Sequence, residues 1–313
     1  MIGKITGIGT ALPKYVMDNE ELSTMVETTD QWIRERTGIR TRHIARNGET
    51  TTSLAIEAAK EALKAAKIEA ASLDLIIVST NTAIDLMPNT ACEIQKEIGA
   101  FVATCFDITV ACSGFVFAYN TVLAYMRANM CKKALIVGSE TLSNVVDWSD
   151  RGSCILFGDG AGAVVLEEDD SENFKPLMSS MGAKGEALTL TNSFGKARDF
   201  MAMDGSEVFK FAVASVPKII EELLMINQFE KEKIKYYVLH QANKRIIDAV
   251  AKRLKEPLDK FPTNVENYGN TSSASIPILL KEMDEKNSFK KGDYIVMVGF
   301  GAGLSLGATI LKW

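Results

Sequence analysis

Apolar runs alternate with amphipathic segments along this chain, and the alternation predicts strands and helices in turn. Residues 2–8 read as a first strand, ended by Gly9 and Leu12-Pro13. Residues 18–25 and 30–36 are predicted short helices. Residues 51–67 form an amphipathic helix, with Thr51 and Thr52 as candidate caps and alanines at helical spacing. The run LDLIIVST over 73–80 predicts a buried strand. Residues 88–98 predict a helix that opens on Pro88, as first helical positions allow. Residues 104–110 (TCFDITV) are β-branched and aromatic enough for a strand. Residues 115–129 (FVFAYNTVLAYMRAN) carry apolar positions at helical spacing without Pro or Gly. Between these two lies Cys112. KALIVG over 133–138 is another buried strand, Gly158-Asp159-Gly160-Ala161-Gly162 a glycine turn, and 163–168 a strand after it. The charged segment 167–173 reads as a surface connection at the midpoint of the fold.

Beyond that point the order of elements repeats. KYYVLH (235–240) matches LDLIIVST, residues 268–283 stand where 111–126 stand, and 291–299 match 132–138. Residues 304–313 close the chain as an apolar strand, as 163–168 close the first half. Val78 lies 34 residues before Cys112, and Val238 lies 32 before Asn270. Two α/β halves, residues 1–170 and 171–313, related by an internal repeat, explain this better than two unrelated domains. Buried strands alternating with helices imply mixed or parallel sheets covered on both faces. In such folds the active site lies outside strand ends, here where the halves meet.

Composition narrows the picture. A chain of 313 residues can bury a large core, in two domains or one duplicated domain. With 47% apolar and 24% charged residues it is an ordinary globular protein. No apolar run has the length of a membrane span, and a net charge of −5 gives no reason to expect nucleic acid as a partner. The N-terminus leads straight into a strand, without the pattern of a signal peptide. The five cysteines (92, 105, 112, 131 and 154) are odd in number and show no CxxC or Cys/His pairing. That argues against a disulfide framework and a structural zinc site. A reducing compartment and a cytoplasmic protein follow.

At a strand-to-helix junction, free N–H groups and the positive dipole end of the helix face Cys112. They are expected to lower the thiol pKa from about 8.5. A cysteine taken alone is more often a small buried apolar residue. The second half shifts the balance. It offers His240, at the end of its strand and one of two histidines with His43, and Asn270, at the entry to its helix. One histidine alone reads as structural. Three groups at matching ends of repeated elements point to a Cys/His/Asn site.

Such a trio also serves papain-like proteases, where His is the base and Asn orients it. Here the Asn enters its own helix through GNTSSAS and would donate its amide directly to a substrate oxygen. His Nε2–H and the Asn amide would then form an oxyanion hole for an enolate. The turn Phe300-Gly301-Ala302-Gly303 would aim a backbone N–H at an acyl oxygen on Cys112. The expected chemistry is acyl transfer followed by carbon–carbon bond formation.

Residues 107–115 (DITVACSGF), 157–166 (FGDGAGAVVL), 240–247 (HQANKRII) and 269–277 (GNTSSASIP) resemble the β-ketoacyl-[acyl-carrier-protein] synthase III family of the thiolase fold. The resemblance runs from the first strand to the C-terminus, with the motifs in order and at family spacing. It implies two pseudo-symmetric βαβαβ halves in a layered α/β/α/β/α sandwich. It implies that Cys112 takes an acyl group, acetyl first, from acyl-CoA, and that His240 and Asn270 support decarboxylation of malonyl-acyl carrier protein. The carbanion then attacks the thioester to give a 3-oxoacyl product, CO2 and CoA, starting fatty-acid synthesis. Backbone N–H groups of Cys112 and Ala302 would bind the thioester oxygen. Many relatives have three glycines where this turn reads Gly-Ala-Gly, so the Ala302 methyl narrows the approach. No resident cofactor or metal is implied, coenzyme A being part of a substrate, and a homodimer is expected.

Substrate carriers leave marks as well. The stretch 28–37 (TTDQWIRERT) sets Trp32 beside arginines at one helix end. Alone it reads as a helix anchor among solvated arginines, but coenzyme A needs a flat platform for adenine and cations for its phosphates. By resemblance, Trp32 and Arg151 sandwich the adenine, Thr28, Arg36 and Asn243 line the tunnel, and Gly205 lets the pantetheine arm pass close to the backbone. The helix 242–256 has Ile246, Ile247, Val250 and Leu254 on one side and Lys244, Arg245, Lys252, Arg253 and Lys255 on the other. This is either a solvated face or a basic patch suited to an acidic carrier protein. Met87-Pro88 corresponds to the loop that, in relatives, closes the acyl pocket from the neighbouring subunit. A flexible Met there leaves acyl length open, with a short or branched primer as the other option.

The close rival is a related condensing enzyme of specialised, polyketide-like metabolism with another acyl donor or acceptor. Thiolase is disfavoured because the turn 299–303 holds no second cysteine. A non-catalytic acyl-binding protein is the reading from a different class, and the intact Cys112, His240 and Asn270 stand against it.

Overall fold

The structure, a computed structural model, describes residues 2–180, 182–190 and 200–313. The chain runs β1 (Ile2–Ala11), β2 (Tyr15–Asp18), α1 (Asn19–Ser23), α2 (Asp30–Thr37), β3 (Thr41–Ile44), α3 (Thr51–Ala66), β4 (Leu75–Ser79) and α4 (Thr90–Ile98). Next come β5 (Thr104–Ile108), α5 (Gly114–Arg127), β6 (Lys133–Glu140), α6 (Arg151–Cys154), β7 (Gly160–Asp169), β8 (Leu177–Ser180), β9 (Leu188–Thr189) and β10 (Ala202–Met203). It ends with α7 (Gly205–Ile226), β11 (Ile234–Leu239), α8 (Lys244–Leu254), α9 (Val265–Tyr268), α10 (Ser275–Glu285), β12 (Tyr294–Gly301) and β13 (Ser305–Lys312).

Two mixed sheets carry the architecture. One has the order β1-β7-β6-β4-β5, with β4 parallel to β5 and β6 and the other pairs antiparallel. The other has the order β11-β12-β13-β8, with β11 parallel to β12 and the rest antiparallel. Order and direction match strand for strand: β4 with β11, β6 with β12, β7 with β13, β1 with β8. The counterpart of β5 is absent among the described residues. The chain there carries Pro262, which has no N–H for a ladder, and the short helix α9.

Helices α5 and α10 lie between the sheets, α5 against β4, β6, β12 and β13, and α10 against β1, β7 and β11. Phe115, Tyr119, Ile276, Leu280, Ile77 and Met297 share the apolar core of this middle layer. Helices α3 and α4 cover the outer face of the first sheet, and α7 with α8 that of the second. The result is the α/β/α/β/α sandwich.

Close backbone approach explains the alanine stripe of α3. A Cβ on Gly9 of β1 would stand 2.2 Å from the Ala58 carbonyl oxygen, so strand and helix touch where only small residues fit. The cap of α3 is Thr50 rather than Thr51 or Thr52. Its side chain accepts from Ser53 N–H while the Ser53 hydroxyl takes the Thr50 N–H. Helix α4 likewise opens at Thr90, not at Pro88. The Asn89 side chain accepts from Cys92 N–H at 2.9 Å, and an Asn cap leaves the proline outside. Residues Glu167 to Asp169 belong to β7, where Ile2 pairs with Asp169, and the surface connection starts after them.

Candidate active site

β5 ends at Ile108, and a single 3₁₀ turn, Ala111–Ser113, leads into α5. Ala111 holds φ +47°, a left-handed conformation that costs a non-glycine residue and makes the turn sharp. The same device precedes α10, where the turn Ser272–Ala274 opens with Ser272 at φ +49°. Matching the turns aligns Ala111 with Ser272 and Cys112 with Ser273. Asn270 is therefore level with Thr109, three residues before Cys112, with which the sequence repeat paired it. Loop spacing in the two halves differs, so counting from the strands misjudged the offset.

Strand β12 closes over the first turn. A Cβ on Gly301 would lie 2.9 Å from both the Cys112 Cβ and its backbone N, so glycine is what lets the strand touch the cysteine. The Ser113 and Ser305 hydroxyls are 2.7 Å apart, and Ser305 donates to the Ala302 carbonyl at 2.7 Å. These contacts pin the turn of residues 300–303 to the start of α5.

Cys112, His240 and Asn270 are buried, and all three border one cavity of about 440 Å³. His240 follows β11 directly. Its Nδ1 is 2.7 Å from the Ser275 Oγ, which also accepts the Gln241 N–H at 3.3 Å. Phe300 sets its ring edge-on to the imidazole, with centroids 5.1 Å apart. Burial drives the His240 pKa down to about 3, so the ring is neutral. Asn270 accepts the Ser272 N–H through Oδ1 at 2.9 Å, which leaves its amide N–H groups for the cavity it borders.

The electrostatics of Cys112 correct the expectation from its helix. Burial pushes the thiol up to about 12, partly offset by the Ser272 side chain, and the nearby Glu140 charge raises it further. Desolvation outweighs the dipole at this depth, so the resting group is a thiol.

Cys112 also borders a second cavity of about 800 Å³, lined by Leu86, Leu142, Val145, Phe157, Ala302 and Gly303 among others. The cysteine thus stands where two cavities meet, a tunnel that carries arginines at its lining and a chamber lined mostly by apolar side chains. Trp32, Arg36, Gly205, Asn243 and Arg245 line the tunnel. A methyl on Gly205 would find only Met203 Cε, at 3.8 Å, so the backbone there faces open space. Asn243 caps α8 and donates to the Arg36 carbonyl at 3.1 Å.

Other expected residues lie off the lining. Arg151 stacks on Trp32 with its guanidinium 4.8 Å from the ring centroid, which closes the slot proposed for a sandwiched adenine. Thr28 does not reach the tunnel, although its hydroxyl is buried without a partner. Met87 is 89% exposed and does not line the chamber of its own chain. On α8, Lys244 pairs with Asp248 at 2.8 Å, Arg245 stacks over Phe209 at 5.5 Å, and Lys252 and Arg253 are exposed. Among the described residues no group of His, Cys, Asp and Glu is placed to hold a metal ion.

Sequence reasoning missed Ser272, Ser275 and Glu140. The two serines stood inside a recognised motif, but nothing in it says which hydroxyl meets the histidine. Glu140 ends an apolar strand, as His240 follows one, and that parallel was its only signal.

Two family models match the chain. The one described as 3-oxoacyl-[acyl-carrier-protein (ACP)] synthase III covers residues 106–185, and the one for its C terminal covers residues 224–313. A Clostridium botulinum protein, beta-ketoacyl-[acyl-carrier-protein] synthase III, is 46% identical over 99% of this chain and 98% of its own. The crystal structure of 3-oxoacyl-[acyl-carrier-protein] synthase III from Aquifex aeolicus aligns with a TM-score of 0.95 at 41% identity, covering 99% of this chain and 100% of that one. The priming beta-ketosynthase of the R1128 polyketide biosynthetic pathway also aligns at 0.95, with 33% identity over 99% of this chain and 96% of its own.

Proposed function

Because the chain belongs to the β-ketoacyl-[acyl-carrier-protein] synthase III family, we propose that it condenses a short acyl group from acyl-CoA with malonyl-acyl carrier protein. The products are a 3-oxoacyl carrier protein, CO2 and CoA, and the reaction starts fatty-acid synthesis. The observation that carries this reading is Cys112 at the junction of the tunnel and the chamber. A thioester entering past Trp32 and Arg36 would present its carbonyl to the sulfur, with its acyl group directed into the chamber.

Acylation forms the Cys112 thioester and releases CoA. The backbone N–H groups of Cys112 and Ala302 are the donors proposed for the thioester oxygen. Malonyl-carrier protein then uses the same tunnel. With Ser275 as the donor to Nδ1 in the bond they share, His240 Nε2 would carry the proton and donate into the cavity. Together with the Asn270 amide it binds the malonyl thioester oxygen as CO2 leaves. Two neutral donors suit a charge that develops only during the reaction. The enolate carbon attacks the acyl-Cys112 carbonyl, and the cysteine departs.

Thr28 and Arg151 belong to the adenine site in this reading, with Arg151 swinging off Trp32 to admit the ring. Lys244, Arg245, Lys252 and Arg253 are the docking cations for an acidic carrier protein. Residues 1–170 and 171–313 are two halves of one duplicated unit. β5 lies at a sheet edge beside exposed Phe101 and Val102, which supports pairing of two copies there. The exposed Met87 is then read as reaching the chamber of the second copy. No helix among the described residues is long and apolar enough to cross a membrane, and a cytoplasmic location is part of the same reading.

The chamber also supports a second reading, in which the donor is longer or branched rather than acetyl. Its volume exceeds what two carbons need. A panel of acyl-CoAs with malonyl-carrier protein tests both readings: 3-oxoacyl product from acetyl-CoA alone supports the first, and a preference for longer or branched donors the second. No 3-oxoacyl product with any donor would overturn the assignment.

A further inference from the structure

Strand β6 is apolar until it ends in Ser139-Glu140, and the Glu140 carboxylate is 0% exposed. Its neighbours are neutral donors. Thr82 donates its hydroxyl to Oε2 at 2.7 Å, Asn81 donates its amide to Oε1 at 2.8 Å, and the Asn81 N–H lies 3.2 Å from both oxygens. The Ser272 hydroxyl completes the set, 3.3 Å from Oε1. Donors on both oxygens suit a carboxylate better than a glutamine amide, but burying the charge still costs free energy, so its presence asks for a chemical reason.

Ser272 supplies one, because it touches three parts of the site. Its backbone N–H holds Asn270, its hydroxyl donates to Glu140, and the turn it opens packs on the Ala111–Ser113 turn, so that Ser272 and Cys112 border the same chamber and the serine side chain acts on the thiol. We propose that Glu140, acting through the Ser272 hydroxyl, is the positioning residue that takes up the Cys112 proton during acylation. This rests on Cys112 being the acylated residue.

The proton moves from Sγ to the Ser272 Oγ as the Ser272 hydroxyl hydrogen passes to Glu140 Oε1. The sulfur forms its bond to the acyl carbon, and the carbon–sulfur bond to CoA breaks. The departing CoA thiolate is protonated by return of that proton through Ser272, which restores the carboxylate. Throughout the first step the buried cluster holds one negative charge, moved from carboxylate to sulfur rather than created. That matters because desolvation makes a thiolate beside an ionised carboxylate costly.

Burial lifts the Glu140 pKa to about 7, where it exchanges a proton readily near neutrality. The alternative acceptor, His240, is held neutral by burial and makes a poor base. The groups facing Glu140 are Asn81 and Thr82 after β4, Thr51 of α3 one hydroxyl further on, Gly160 across the ladder in β7, and Ser272 before α10. Cys112 is the titratable group that feels its charge.

The test is the rate of acyl adduct formation on Cys112 by quenched mass spectrometry, followed through neutral pH in wild type, Glu140→Gln, Glu140→Asp and Ser272→Ala. Wild type should show a rise in rate with an inflection near neutrality. Glu140→Gln should acylate roughly 100-fold more slowly, lose that inflection, and speed up only at alkaline pH. Glu140→Asp should restore part of the rate together with the inflection. Ser272→Ala should behave as Glu140→Gln does, and it carries the test alone if the glutamine variant folds poorly. A rate in either variant that keeps the wild-type inflection, whether slowed or not, would overturn the proposal. Absence of a Cys112 adduct in wild type would instead overturn the assignment of the nucleophile.

Discussion

Asn270 and Ser272 are joined by one short hydrogen bond, the Ser272 N–H donating to Asn270 Oδ1 at 2.9 Å. The bond fixes the amide so that nitrogen, not oxygen, is left for a ligand. Asn270→Asp should therefore be no better than Asn270→Ala. The aspartate would keep the Ser272 bond and aim a second oxygen, rather than a donor, at the enolate. CO2 release from malonyl-carrier protein should fall by about 2.7–4 kcal/mol, or roughly a hundred- to a thousand-fold, in either variant. Acylation of Cys112, followed as labelled acyl transfer, should survive in both. A more active aspartate variant would mean that the residue accepts rather than donates.

His240 is predicted to work as a neutral donor at every pH of interest. Its pKa in the fold is about 3, below the ordinary 6.5. Between these values the unfolded chain binds the extra proton, so His240 subtracts stability as pH falls from 6.5 toward 3 and nothing above 6.5. Urea midpoints across that window should fall less steeply for His240→Gln than for wild type. CO2 release should show no inflection from this histidine near 6.5. Parallel stability curves for the two proteins would show that the ring is solvated and titrates normally.

Trp32 is the predicted platform for adenine, at present covered by Arg151. Trp32→Ala should weaken acyl-CoA binding by about 1–3 kcal/mol, roughly 5- to 150-fold, which is the usual worth of one base stacked on an aromatic ring. The matching acyl-pantetheine, which lacks adenine, should bind wild type and variant alike. An equal loss for both ligands would place the tryptophan in helix packing alone.

Charge reversal on α8 should separate two roles that the sequence grouped together. Arg253 is exposed and away from the tunnel, so Arg253→Glu should raise KM for malonyl-carrier protein and leave acyl-CoA transfer intact. Arg245 lines the tunnel mouth and stacks on Phe209, so Arg245→Glu should impair both substrates. The Arg253 effect should shrink as salt rises. Steady-state kinetics with each substrate varied decides this. An Arg253 variant indistinguishable from wild type would mean that the basic face is merely solvated.

Much of this was legible in the sequence, because strands buried on both faces and helices with one apolar stripe write different periods. The repeat of those periods gave both halves and brought Cys112, His240 and Asn270 to one cavity. What stayed hidden depends on depth and on exact turn geometry. A dipole can be inferred from a helix start, but the desolvation that overrides it at Cys112 needs the packing of Gly301 against the cysteine. The offset between Cys112 and Asn270 depended on two left-handed residues, Ala111 and Ser272, neither of which is glycine. Glu140 was passed over despite its parallel with His240, because a glutamate at a strand end looks like any solvated terminus until its neighbours are known.

The account turns on Cys112 as the acyl carrier, and peptide mapping by mass spectrometry tests that directly. Protein incubated with acyl-CoA should gain one acyl mass, on the peptide holding Cys112, and lose it on addition of malonyl-carrier protein, with one CO2 released for each 3-oxoacyl product formed. Cys112→Ser should show no adduct, since a serine hydroxyl is far less acidic than a thiol. An adduct at Cys92, Cys105, Cys131 or Cys154, or an adduct on Cys112 that malonyl-carrier protein leaves in place, would contradict it.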